Sequence, residues 1–268
     1  NCNNCFLSCK DEHCGNEWPG YSASQPVHGH RWMNIRRRER GRFPVIDVAY
    51  RPTPCMHCED PPCERAAKNG AVVKRDDGIV LILPEKAHGQ KELVASCPYG
   101  AIWWNEELQL PQKCTFCAHL IDDGWKEPRC VQACPTGALR FFAGDDEQLR
   151  RMVAEENLQT LSARSGDTVG PRCWYKNLHR FDRCFISGSI ARRQEGVEEC
   201  YEGVKVTLRK GEEQLGEVVS DVFGDFKFDN LPKDSGEYQI DLVVGGKIAG
   251  TRQFSLGVSG SLGTILLD

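Results

Sequence analysis

Cys114-Thr115-Phe116-Cys117, followed by Cys130-Val131-Gln132-Ala133-Cys134-Pro135, decides how this chain is read. Two thiols separated by two residues sit on one tight turn, and two more follow, the last fixed ahead of a proline. Twelve of the fifteen cysteines precede residue 135, most of them in such groups. The count is odd and the chain, at 268 residues, is not a short disulfide scaffold. Close-set Cys-x2-Cys pairs point instead to metal or cluster ligation in a reducing compartment.

The ligand repeat of bacterial ferredoxins runs C-x2-C-x2-C-x3-C-P, with the fourth thiolate serving the other cluster of the pair. Cys2-x2-Cys5-x3-Cys9 is that repeat without its opening cysteine, which is expected two residues ahead of Asn1. Pairing it with the motif at 114–135 gives a cluster A on Cys114, Cys117, Cys130 and Cys9, and a cluster B on Cys2, Cys5 and Cys134. The middle pair is more telling. Cys55-x2-Cys58-x4-Cys63 and Cys97-Pro98 supply a complete cluster C, whereas Ala67, Ala87, Gln90 and Leu93 occupy the four ligand positions of its neighbour. One cluster has been deleted as a unit and three kept. Zinc held by four cysteines also uses Cys-x2-Cys pairs, but three such motifs with Cys-Pro endings favour three [4Fe-4S] clusters.

Composition sets bounds around this reading. A net charge of −4 and a pI near 6.0 give no push toward nucleic acid or an anionic membrane. The run Ile79-Val80-Leu81-Ile82-Leu83 is far too short to span a bilayer, and no secretory leader is visible, so the expected location is cytoplasmic. Cys14, Cys173, Cys184 and Cys200 lie outside the motifs and read as small buried hydrophobes. His13, His57 and His119, close to ligand cysteines, read as groups that tune a cluster. The run Arg36–Arg42 reads as a solvated face, with a docking surface for an acidic partner as the sharper alternative.

The expected architecture is α+β, in three segments. Residues 1–143 form two ferredoxin-like iron–sulfur lobes, with an inserted loop at 20–50 and strand candidates at Gly78–Leu83 and Ala138–Phe142. Residues 144–186 form a helix from Asp145 to about Leu161, with Leu149, Met152, Val153 and Leu158 on one face, and then a connector. Residues 187–268 alternate apolar and polar positions (Val204, Val206, Leu208; Phe226, Phe228; Tyr238, Ile240, Leu242) between glycine and proline turns, which predicts a small antiparallel β-sandwich.

Lys113-Cys114-Thr115-Phe116-Cys117-Ala118-His119 and Arg129-Cys130-Val131-Gln132-Ala133-Cys134-Pro135-Thr136-Gly137-Ala138 resemble the electron-transfer subunits of the dimethyl sulfoxide reductase superfamily. Cys2-Asn3-Asn4-Cys5-Phe6, Asp11-Glu12-His13, Asn16-Glu17-Trp18-Pro19-Gly20-Tyr21, Gly29-His30-Arg31-Trp32-Met33-Asn34-Ile35 and Arg51-Pro52-Thr53-Pro54-Cys55-Met56-His57-Cys58-Glu59 are more narrowly similar to the small subunits of the pyrogallol–phloroglucinol transhydroxylase group. The resemblance implies a heterodimer whose large subunit carries molybdenum or tungsten on two pterin guanine dinucleotides and performs the chemistry on polyhydroxylated aromatics. This chain would be its three-cluster wire, with no catalytic residues and a prealbumin-like sandwich at its end. A resorcinol hydroxylase, a catechol dehydroxylase or another molybdopterin reductase would use the same wire. A reductase subunit linked to a membrane quinol anchor and a zinc scaffold are the competing classes.

Overall fold

The computed structural model describes residues 2–163, 166 and 169–267. The chain divides into two compact units, one of residues 1–36 and 50–176, the other of residues 37–49 and 177–268. Among the described residues, no helix is long and apolar enough to cross a membrane.

The first unit is built from short pieces. A ten-residue helix, Asn4–His13, carries Cys5 and Cys9 on its buried side. Two small antiparallel hairpins follow, Val72–Lys74 with Val80–Ile82 and Trp103–Asn105 with Leu110–Gln112. Single-turn helices at Pro62–Ala66, Glu92–Ser96, Ala118–Asp122 and Arg129–Gln132 flank the ligand cysteines. The strand expected at Gly78–Leu83 is present, shortened to Val80–Ile82, but Ala138–Phe142 forms no strand. The helix after Asp145 starts with a full capping box between Asp145 and Gln148, and ends at Glu155 rather than near Leu161. Asn157 is left-handed there, and the Leu158 N–H turns back to Val153 O at 2.9 Å. An asparagine in that conformation closes a helix as glycine does. Leu149, Met152, Val153 and Leu158 are all half-buried, so the expected face holds although Leu158 lies beyond the helix. Of the connector read at 164–185, residues 164, 165, 167 and 168 lie outside the described residues.

The second unit is a β-sandwich. One sheet orders Glu213–Val219, Lys205–Lys210, Gly236–Val244 and Lys247–Leu256, all antiparallel. The other orders Asp225–Leu231, Cys184–Gln194 and Gly260–Leu267, with Val197–Cys200 paired to Cys184–Gln194. Period-two alternation places Val204, Val206, Leu208, Phe226, Phe228, Tyr238, Ile240 and Leu242 inside, in a single core fed by both sheets. The sandwich is not wholly antiparallel, however. Gly260–Leu267 runs parallel to Cys184–Gln194, because it follows a strand of the opposite sheet and crosses over to enter in the same direction.

Two segment boundaries differ from the sequence reading. The segment at 20–50 is not simply a loop. Asn34–Arg42 and Val45–Thr53 pair as a hairpin, and its residues 37–49 group with the sandwich. The cause is Arg40, which lies inside the cationic run yet is buried. Its guanidinium grips Asp229 through two 2.7 Å bonds and Asp47 through a third at 2.7 Å, and stacks over the Phe185 ring. Arg180 holds Asp47 from the other side. Arg37, Arg38 and Arg42 do not share that burial, so the solvated-face reading fails at Arg40. The unit boundary near the connector lies at 176/177 rather than 187 for the same reason.

Candidate iron–sulfur centres

All eleven cysteines read as ligands lie in the first unit, where the fold draws them near one another without dividing them cleanly: Cys114 feels Cys55, and Cys130 feels Cys5. Cys55, Cys58, Cys63 and Cys97 line one pocket, together with Met56, Pro98 and Ile102. Cys9, Cys114 and Cys117 act electrostatically on one another and on Cys130. Cys5 feels Cys2 and Cys134. The sequence places these partners up to 132 positions apart (Cys134 against Cys2); the fold closes that distance.

Local geometry prepares the sulfurs. In each of the three Cys-x2-Cys turns a non-glycine residue has positive φ: Asn3 at 60°, His57 at 43°, Phe116 at 60° with Cys117 at 50°. Such backbone is costly for L-residues and persists where surrounding structure holds it. In the two later turns a backbone N–H faces sulfur, from His57 to Cys55 Sγ at 3.5 Å and from Phe116 to Cys114 Sγ at 3.4 Å. Ala101 N–H donates likewise to Cys97 Sγ at 3.4 Å. Hydrogen bonds of this kind are among the controls on cluster potential.

Seven of the eleven thiols are poor acids as they stand. Burial, with help from neighbouring cysteines, pushes Cys58 up to about 12, and burial pushes Cys117 up to about 12 as well. Cys63 and Cys114 are pushed up to about 11, also chiefly by burial, and Cys9 and Cys130 are raised too. Cys134 differs: burial works upward, but hydrogen bonds around it, beginning with Leu139, bring it below the usual thiol range. Four crowded, buried thiols become four thiolates only if strong positive charge sits among them. The donor set therefore fits cationic centres, an iron–sulfur core among them. Among the described residues no group of three or more His, Cys, Asp or Glu side chains closes on a single ion; a cubane needs no such closure, since each thiolate takes its own iron.

The histidines divide by role. His57 is buried; its Nδ1 accepts from the Val80 N–H at 3.0 Å, which leaves the proton on Nε2, and that atom has no partner among the described residues. Burial holds His57 well below its usual range, hence neutral. His13 Nε2 lies 4.0 Å from Cys117 Sγ, and burial lowers the ring to about 3. His119 instead pairs with Glu12 at 2.9 Å and stacks on Trp18. Cys14 is half-buried and Cys184 sits in the sandwich core, but Cys200 is exposed, contrary to its reading as a buried hydrophobe. Two residues with no assigned role stand close to the sulfurs. Cys173 Sγ is 3.6 Å from Cys55 O, and Lys113 lines the Cys55 pocket. A charged residue directly before a ligand cysteine was the available signal for Lys113; nothing in the sequence marks Cys173.

The four positions that break the cysteine pattern are filled by packed side chains. Ala67, Ala87 and Leu93 join one apolar cluster with Val72, Val80 and Ile102. Gln90 is buried and binds the backbone, accepting from Lys68 N–H at 2.9 Å and donating to Lys86 O at 2.8 Å.

Residues 46–144 match the family model of the 4Fe-4S dicluster domain, which together with the thiol sets defines an iron–sulfur protein. The chain belongs to the family of the pyrogallol hydroxytransferase small subunit of Pelobacter acidigallici, being 49% identical to it over 92% of this chain and 87% of that one. It is also 31% identical to a putative dimethyl sulfoxide reductase iron–sulfur subunit of Halobacterium salinarum, over 66% of this chain and 74% of that one. Against the thiosulfate reductase electron transfer subunit of Salmonella typhi the figures are 30% identity, 62% and 82%. Among solved structures, the 5-hydroxyisourate hydrolase of Klebsiella pneumoniae aligns with 31% of this chain and 85% of its own, at 21% identity and a TM-score of 0.26.

Proposed function

We propose that this chain is the electron-transfer subunit of a heterodimeric molybdopterin enzyme acting on polyhydroxylated aromatics, of the pyrogallol hydroxytransferase type. It holds three [4Fe-4S] clusters in two ferredoxin-like lobes: cluster A on Cys9, Cys114, Cys117 and Cys130; cluster B on Cys2, Cys5 and Cys134; cluster C on Cys55, Cys58, Cys63 and Cys97. The observation that supports the reading is the single pocket lined by Cys55, Cys58, Cys63 and Cys97, with packed side chains at the four positions of a further set.

When bound, the clusters carry single electrons between redox partners. The chain's own residues hold them as thiolates, aim backbone N–H groups at the sulfurs, and keep water away with Met56, Pro98, Ile102 and Trp32. Catalysis belongs to a large subunit bearing molybdenum or tungsten on two pterin guanine dinucleotides, and no residue of this chain is assigned to it. The sandwich, of prealbumin-like type, serves as a structural appendage for docking to that subunit. Fifteen free cysteines are consistent with a reducing cytoplasm.

Anaerobically purified chain is expected to be brown and to contain about twelve irons with matching sulfide; zinc, or iron for one cluster only, would overturn the reading. The purified pair is expected to exchange hydroxyls between phenols without added reductant. Turnover only with an external electron donor or acceptor would replace transfer by net hydroxylation or dehydroxylation.

A further inference from the structure

We propose that Lys113 is the internal counter-cation of the Cys55–Cys58–Cys63–Cys97 centre and raises the reduction potential of that centre. This rests on the cluster reading above and adds a residue to it that touches no substrate.

Lys113 is 2% exposed, on the segment that leads from the strand Leu110–Gln112 into Cys114. Its Nζ donates to Val80 O and, at 3.1 Å, to Cys114 O. Both acceptors are neutral main-chain carbonyls, and among the described residues it forms no ion pair. Two arginines near the cysteine sets are neutralised locally: Arg129 by Glu12 at 3.2 Å and Arg172 by Glu59 at 2.9 Å. A buried ammonium without a counter-charge is strongly unfavourable, so the fold has placed a charge whose partner must come from the pocket it lines.

That pocket is the one walled by the four cysteines. Four thiolates outweigh the positive charge of a cubane core, so the assembled centre is an anion, and one-electron reduction makes it more negative. A fixed cation in a poorly screened interior stabilises the reduced form more than the oxidised form, and the potential rises.

The geometry also separates this role from a simple tie. Val80 has its N–H bound by His57 Nδ1 and its carbonyl by Lys113 Nζ, so one strand residue is gripped by side chains from two cysteine loops. A neutral donor would serve that grip equally well; the charge is surplus to it.

The test is an EPR-monitored redox titration of the cluster-loaded full chain in its native complex, for wild type, Lys113→Met, Lys113→Gln and Lys113→Arg. The centre in question is the one whose signal Cys63→Ala removes or converts. Its potential is expected to fall in the Met and Gln variants and to return toward wild type in the Arg variant, with the centre at Cys2 and Cys5 unmoved. Iron lost from this site in Met and Gln but kept in Arg supports the proposal equally, since the anion then needs the cation to be held. An unmoved potential in Lys113→Gln with full iron overturns it, as do equal shifts in Gln and Arg or loss of iron in all three variants. Wild-type protein without any cubane signal would overturn the cluster reading and this proposal together.

Discussion

The sandwich unit and the cysteine unit differ in what fills them. The sandwich has one core, in which fifteen buried residues from both sheets meet. Among the described residues, the cysteine unit has four separate clusters, the largest with nine buried residues, and cysteines belong to three of the four. Hydrophobic stabilisation scales with apolar area removed from water, so the first arrangement stands by side chains alone. In the second, the interior is divided around the places where thiols gather, and the inorganic cores complete it.

Iron removal is the widest break in that comparison. Chelation under anaerobic, reducing conditions is expected to abolish amide-exchange protection across residues 2–36 and 50–176 and to leave 177–267 protected. Native protection of the first unit in iron-free protein would erase the distinction. The converse cut is Ile240→Ala, at a fully buried position of the sandwich core. It should cost about 3–4 kcal/mol in the unfolding of that unit, seen by calorimetry, while iron content stays at the wild-type level.

A smaller effect sharpens where the units divide. Arg40→Met removes the guanidinium from Asp229 and leaves Asp47 with Arg180 alone. Breaking a fully buried pair costs about 3–5 kcal/mol; because Asp229 is 27% exposed on its side chain, about 2–3 kcal/mol is expected, again without loss of iron. For the same reason, deleting only 187–268 would strand Arg40 with one partner removed, so a clean truncation must also replace 37–49.

The smallest is a pH effect. Burial alone would raise Asp47, but Arg180 and Arg40 hold it down at about 2. Its folded value lies below its unfolded one, so its contribution is complete above about pH 4 and is lost as pH falls toward 2. The denaturation midpoint of the sandwich should drop over that window by the equivalent of about 2 kcal/mol. Arg40→Met should flatten the drop.

Much of this was legible from spacing. Cysteine intervals put Cys55, Cys58, Cys63 and Cys97 together, and these four line one pocket; Ala67, Ala87, Gln90 and Leu93 stood out by the same ruler and are packed side chains. Alternation at Val204–Leu208 and Tyr238–Leu242 marked the inward face of the sandwich. Arg40 was not legible: its neighbours in sequence are cations on a surface strand, and only Asp229, 189 positions away, makes it a buried clamp. The parallel pairing of Gly260–Leu267 was equally hidden, since alternation reports a face and not a direction.

Local rules in the sequence were sufficient for what depends on short separations: the Cys-x2-Cys turns, the helix start at Asp145, the two-residue rhythm of the sandwich strands. Only the tertiary structure decided which distant groups meet. It brought Cys9 to Cys114, closed a pocket on Lys113, and drew residues 37–49 into the sandwich. Burial and electrostatic partnership are properties of neighbours in space, and a chain records them only where its spacing happens to match that neighbourhood.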